Sequence, residues 1–171
     1  FEIGKGFWNK NGEFGENKKV CVLMTGKYYN KIGYNEQINF YDIKGVTEEL
    51  LDFLGYNGRY SFVMPKQMPK EFHPGQTAEI SVNNDIVGII GRIHPEMEKE
   101  NVFVMEINLD KLLAKRVGKM KFKEISKFPS VKKDVAFVVD KSLTSEEIEK
   151  AIKNGGGSIL TNIEIFDVYT G

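Results

Sequence analysis

The sequence predicts an α+β protein: a largely antiparallel sheet unit with one main helix, followed by a shorter β-α-β unit. Three observations predict this. Across the first 110 positions, short β-rich apolar runs alternate with clusters of Gly, Pro, Asn and Asp. Within that region one long stretch, near residues 40–55, instead repeats its apolar residues at three and four. Beyond residue 118 or so the order becomes apolar run, amphipathic helix, apolar run.

FEIGKGF alternates weakly and reads as a strand, and NKNGEFGENKK after it as a polar hairpin loop. VCVLMTG reads as a central strand, with Cys21 a small buried hydrophobe that has no base beside it. YYNKIGYNEQINF is aromatic and irregular. The main helix follows in FYDIKGVTEELLDFLGY, with Asp42 as N-cap or first-turn acid and Gly55 at the C-cap. Its apolar stripe is Ile43, Val46, Leu50 and Leu54, widened by Leu51 and Phe53. Glu48, Glu49 and Asp52 stand largely opposite and read as a solvated face.

RYSFVM is a short strand, and PKQMPKEFHPG a connector with turns. TAEISVNNDIVGIIGRIH reads as a hairpin turning at Asn83–Asp85. PEMEKE has the length of one helical turn, NVFVMEINL is a strand, and LDKLLAKR a short helix with Leu109, Leu112 and Leu113 inward. Apolar packing gives way at AKRVGKMK, which sets the domains as 1–118 and 119–171. In the second, KKDVAFVVD and ILTNIEIFDVY are strands flanking a helix over LTSEEIEKAIKN, capped by Thr144 or Ser145 with Glu147 in support. GGG breaks that helix. Such a unit is the first half of a split, ferredoxin-like sandwich, so the natural protein is expected to begin before Phe1 and continue past Gly171.

The 171 residues carry 24 basic and 24 acidic side chains, with 41% hydrophobic content, which excludes a largely disordered chain. No apolar run approaches the roughly 20 residues of a membrane span. The lone Cys21 rules out an internal disulfide or a cysteine metal cluster and suits a cytoplasmic setting. Charge is unevenly placed: residues 111–133 hold nine basic side chains against the single acid Glu124. That run is the one positive signal for nucleic acid, since Lys and Arg gather phosphates without a motif, and Phe128 and Tyr169 lie within stacking range in sequence. A solvated linker is the competing reading.

Other constellations fall short of chemistry. His73 and His94 lack further ligands at metal spacing and read as turn or packing residues. Gly88-Ile89-Ile90-Gly91-Arg92 interrupts a β run, so its glycines fit a bend or close strand contact rather than a phosphate loop. Gly155-Gly156-Gly157 reads as a helix terminator. No catalytic set and no metal site emerges.

Six stretches together resemble the C-terminal part of the bacterial phenylalanine–tRNA ligase beta-subunit family. They are Phe1-Glu2-Ile3-Gly4, Phe40-Tyr41-Asp42-Ile43-Lys44-Gly45, Phe72-His73-Pro74-Gly75-Gln76-Thr77-Ala78, Gly88 to Pro95, Lys127-Phe128-Pro129-Ser130-Val131-Lys132-Lys133-Asp134, and Phe166-Asp167-Val168-Tyr169-Thr170-Gly171. The resemblance implies a non-catalytic class II synthetase-like sheet module and then the first half of a ferredoxin-fold anticodon-binding domain. It implies a catalytic alpha subunit as partner in a heterotetramer of two alpha and two beta. The parent complex then attaches phenylalanine to tRNA(Phe) with ATP and Mg2+, neither bound by this fragment. A class II site grips ATP with arginines on two strands. The strand from Phe1 has Glu2 but no arginine, VFVMEINLDKLL has none, and Arg92 sits in the wrong element.

On this reading Lys127, Ser130, Lys132 and Lys133 contact tRNA, the lysines on phosphates and Ser130 as a donor. Glu164 and Asp167 on the last strand are weaker candidates for base edges. Adjacency of the 127–134 segment and the last strand, with their lysines on one face, is the arrangement that would support the anticodon-binding half, and separation would count against it. The alternative is a purely structural or protein-interaction module whose lysines touch no RNA.

Overall fold

Strands β1 (Glu2–Lys10) and β2 (Glu13–Thr25) form one long hairpin closed by Asn11 and Gly12, both at positive φ (55° and 86°). These two angles are those of a type I′ turn, whose twist matches that of the strands. The polar stretch expected as a loop is therefore mostly ladder. Its residues lack apolar alternation because both arms of the hairpin tip face water. The computed structural model describes residues 1–29, 35–115, 117 and 127–169, which fall in two compact units, Phe1–Lys123 and Glu124–Gly171. The boundary expected at 118/119 lies outside the described residues, as do Arg116, Lys119, Lys121 and Lys123 of the basic run.

In the first unit, β5 (Tyr60–Val63), β6 (Phe72–Val82), β7 (Asp85–Ile93) and β8 (Val102–Asn108) complete a six-stranded antiparallel sheet of order β1-β2-β8-β7-β6-β5. A small pair, β3 (Lys27–Tyr29) and β4 (Asn35–Gln37), stands apart from it. The β6–β7 turn is Asn83-Asn84, again at positive φ (51° and 69°). β6 starts five residues earlier than the expected TAEISV strand, at Phe72, with a register shift before Thr77 that accommodates Pro74. The glycines of β7 are close contacts, as expected. A Cβ at Gly88 would stand 2.3 Å from the Glu106 carbonyl oxygen, and one at Gly91 2.7 Å from Thr77 Oγ1.

Helices α1 (Phe40–Phe53) and α2 (Leu109–Leu113) cover one face of the sheet. Register puts Val20, Ile107, Met105, Ile90, Ala78 and Ile80 on that face, where they meet Ile43, Leu51 and Leu112 in one apolar core. Full burial of each such side chain contributes about 1.5–3 kcal/mol. α1 opens with a reciprocal capping box: Asn39 accepts from the Tyr41 N–H and the Asp42 carboxylate accepts from the Asn39 N–H. Asp42 is thus the first-turn acid and Asn39 the cap. Gly55 follows the C-cap Leu54 at φ 86°, the left-handed position that ends helices. Of the expected stripe, Phe53 is 83% exposed, and Thr47 is buried in its place, its hydroxyl donating to the Ile43 carbonyl. In α2, Leu113 is likewise exposed, because five residues present only one face to the sheet and Leu112 takes it.

The second unit contains α3 (Ser145–Gly156), then a 3-10 turn (Gly157–Ile159). Thr144 caps α3 with Glu147 in a second capping box, as the spacing predicts. Gly155 and Gly156 extend the helix rather than break it, and Gly157 (φ 56°) ends it. The expected strands at 132–140 and 159–169 form no ladder among the described residues. The adjacency expected of the 127–134 segment and the last strand is not present as pairing among the described residues, since neither segment has a hydrogen-bonded strand neighbour, and that arrangement does not support the half-fold. Ile148, Ile152, Leu160 and Ile163 are half-buried, and Val135, Val138, Phe166 and Val168 stay exposed.

Candidate nucleic-acid interface

Lys127, Ser130, Lys132 and Lys133 all lie in one exposed seven-residue segment, between Lys127 and Lys133. None of the three lysines is in an ion pair among the described residues, so their ammonium groups stay hydrated and available to phosphates. Phe128 (81% exposed) stands in the same segment, and Tyr169 (92% exposed) at the far end of the unit. Glu164 and Asp167 are exposed as well. The acids near α3 are engaged locally. The Ser142 backbone and hydroxyl hold Asp140 below its usual carboxylate range, and the Thr144 backbone and hydroxyl do the same for Glu147. Neither is a candidate base.

The other face of the sheet is turned away from α1 and α2. Register places Cys21, Glu106, Ile89 and Glu79 in one row across it, and Leu23, Val104, Gly91 and Thr77 in the next. Lys19 is tied to Glu106 at 2.8 Å. Cys21 is half-buried rather than buried, and desolvation, then the Glu106 and Glu2 carboxylates, push its thiol up, the reverse of nucleophile activation. Glu2 is exposed opposite Cys21. Arg92 pairs in register with the core residue Phe103, so it belongs to the helix side of the sheet. The face is mixed: Ile89, Leu23 and Val104 stand beside Cys21, Thr77, Glu79 and the Lys19–Glu106 ion pair.

His73 and His94 serve turns: each Nδ1 accepts a backbone N–H two residues on, from Gly75 at 3.0 Å and Glu96 at 3.3 Å. Among the described residues no group of three His, Cys, Asp or Glu side chains is placed to hold a metal ion. Also among them, no helix is long and apolar enough to cross a membrane. Sequence reasoning missed the convergence of Arg92 with Asn39, Gln76 and Asn101 around one recess. These residues are scattered over more than sixty positions, and the only local sign was an arginine inside an apolar strand.

A one-sided antiparallel sheet of this order, followed by a unit built on a capped helix, defines a class II synthetase-type sheet module joined to part of an anticodon-binding unit. Residues 1–109 match the family described as "Phenylalanyl tRNA synthetase beta chain CLM domain", and residues 126–171 match "Ferredoxin-fold anticodon binding domain". The chain belongs to the phenylalanyl-tRNA synthetase beta-chain family. It is 36% identical over 179 aligned residues to the phenylalanine–tRNA ligase beta subunit of Bacillus subtilis, covering 100% of this chain and 22% of that protein. To the Clostridium acetobutylicum beta subunit it is 37% identical over 176 residues, covering 100% and 21%. To that of Bacillus licheniformis it is 38% identical over 162 residues, covering 91% and 20%. The chain thus spans about a fifth of the length of these relatives.

Proposed function

We propose that the chain is a non-catalytic portion of a phenylalanine–tRNA ligase beta subunit that supports assembly with a catalytic alpha subunit and binds tRNA(Phe). In this reading the parent is a cytoplasmic heterotetramer of two alpha and two beta subunits. It joins L-phenylalanine to tRNA(Phe), with ATP converted to AMP and diphosphate in the presence of Mg2+. The chain itself performs no step of that reaction. The arginine pattern supports this: neither β1 nor β8 carries an arginine, and Arg92 lies in β7 in register with the core residue Phe103. The exposed Ile3, Phe7 and Phe14 of the β1–β2 hairpin suit packing against other protein.

The observation that carries the RNA reading is the exposed, unpaired set Lys127, Lys132 and Lys133 beside Ser130, at the entry of the unit matched to an anticodon-binding family. The lysines supply Coulombic attraction to phosphates, and Ser130 a neutral donor that fixes register. Charge reversal at Lys132 and Lys133 in the assembled heterotetramer tests it. The expected result is a raised KM for tRNA, with tRNA-independent activation of phenylalanine, read as ATP–pyrophosphate exchange, unchanged. Equal impairment of both reactions would remove the assignment. No change in either would favour the purely structural reading.

A further inference from the structure

The chain holds three Asn-Gly pairs, Asn11-Gly12, Asn57-Gly58 and Asn154-Gly155. In such a pair the glycine nitrogen can attack the asparagine side-chain carbonyl, because glycine turns freely about its backbone and carries no Cβ. A Cβ placed on Gly12, Gly58 or Gly155 would meet nothing within 4 Å, so space does not separate the three sites. Backbone restraint does. Asn154 and Gly155 lie inside α3, where the helical ladder holds the peptide between them. The Gly12 N–H donates to Asn9 Oδ1 at 3.1 Å, and the β1–β2 ladder runs up to Lys10 and Glu13 on either side of that turn. Asn57 and Gly58 are exposed and belong to no helix or strand. Their turn is closed by the Arg59 N–H, which donates to the Tyr56 carbonyl at 2.9 Å. That bond spans the pair and leaves the Gly58 N–H without an acceptor among the described residues.

We propose that Asn57 is the site at which the folded protein deamidates and isomerises to isoaspartate. The Gly58 nitrogen bonds to Asn57 Cγ, the Cγ–Nδ2 bond breaks, and the Gly58 proton leaves with the amide as ammonia. Water then opens the five-membered imide. Breaking the bond from nitrogen to Cγ gives aspartate. Breaking the bond to the main-chain carbonyl carbon gives isoaspartate, with the chain routed through Cβ and Cγ. Only water is consumed, and nothing is oxidised or reduced. The turn joins α1 to β5, and just beyond it the Arg59 carbonyl accepts from the Asn83 N–H at 2.9 Å. An isoaspartate adds one backbone atom between Tyr56 and Arg59 and a negative charge, which loosens both of these bonds beside the edge strand β5. The site lies in the first unit and does not rest on the RNA reading.

Ageing of the full-length protein at mildly alkaline pH, followed by peptide mapping with mass spectrometry, tests this. Electron-transfer fragmentation separates aspartate from isoaspartate in each of the three peptides. In the folded protein Asn57 should convert about tenfold faster than Asn11 or Asn154, which need local opening first. In urea, where neither turn nor helix is held, that lead should disappear. Equal rates at the three sites in the folded protein, or a lead by Asn11 or Asn154, overturn the proposal. So does an unconverted Asn57 over a period that converts it in urea. A second readout is methyl transfer from S-adenosylmethionine by an isoaspartyl methyltransferase, which labels the α-carboxylate of isoaspartate. Label should accumulate in aged wild type and be largely lost in Asn57→Gln, whose longer side chain must close a six-membered ring. Undiminished label in Asn57→Gln overturns the site.

Discussion

Tyr56 links the end of α1 to α2 through one atom. Its ring is buried and its hydroxyl donates to the Leu112 carbonyl at 2.6 Å. Tyr56→Phe removes the donor and leaves a buried acceptor, so it should cost about 1–3 kcal/mol in urea unfolding, with little change in slope. Gly45 is the opposite case. It sits mid-helix on α1, exposed, and a Cβ added there would meet nothing within 4 Å, so a close strand approach is not what the glycine serves. Gly45→Ala should therefore stabilise by about 0.5–1 kcal/mol in the same assay. Single positions such as Phe53 and Leu113 were not legible in the sequence. Both are apolar and near helix ends, and only the angle at which each helix meets the sheet decides which flank is covered.

At the scale of elements, the legible parts were those with local signals. The period of α1, both capping boxes, and the Asn-containing β6–β7 turn all rest on neighbours within four residues. The Thr144–Glu147 box makes a prediction. The Glu147 carboxylate is held below its ordinary 4.5 by the Thr144 backbone and hydroxyl, so its contribution is present above that pH. It is lost as pH falls through the depressed value. The protection of α3 amides, relative to their intrinsic exchange rate at each pH, should fall on acidification below about 4.5, and Thr144→Ala should lower that protection already at neutral pH. The expected strands of the second unit, 132–140 and 159–169, are not strands among the described residues, because a strand needs a hydrogen-bonded neighbour and an apolar, β-rich segment does not by itself supply one.

For the whole molecule, neutrality is a cancellation. Acidic residues 1–110 and an acidic tail, 134–171, offset the run at 111–133. The described part of that run that bears on RNA is the segment Lys127–Lys133, exposed throughout. Its residue types were legible as phosphate-seeking. Its freedom from ion pairs was not, because that depends on where every acid folds. Family membership was legible only from six motifs taken together, while the placement of Arg92 on the helix side needed the sheet register. If these lysines hold tRNA by counterion release, the salt dependence of tRNA binding to the full-length protein reads it out, comparing wild type with a variant in which Lys127, Lys132 and Lys133 are all alanine. The slope of log affinity against log salt should fall in magnitude by about two, at roughly 0.7 for each phosphate no longer neutralised on single-stranded RNA. An unchanged slope would contradict the account.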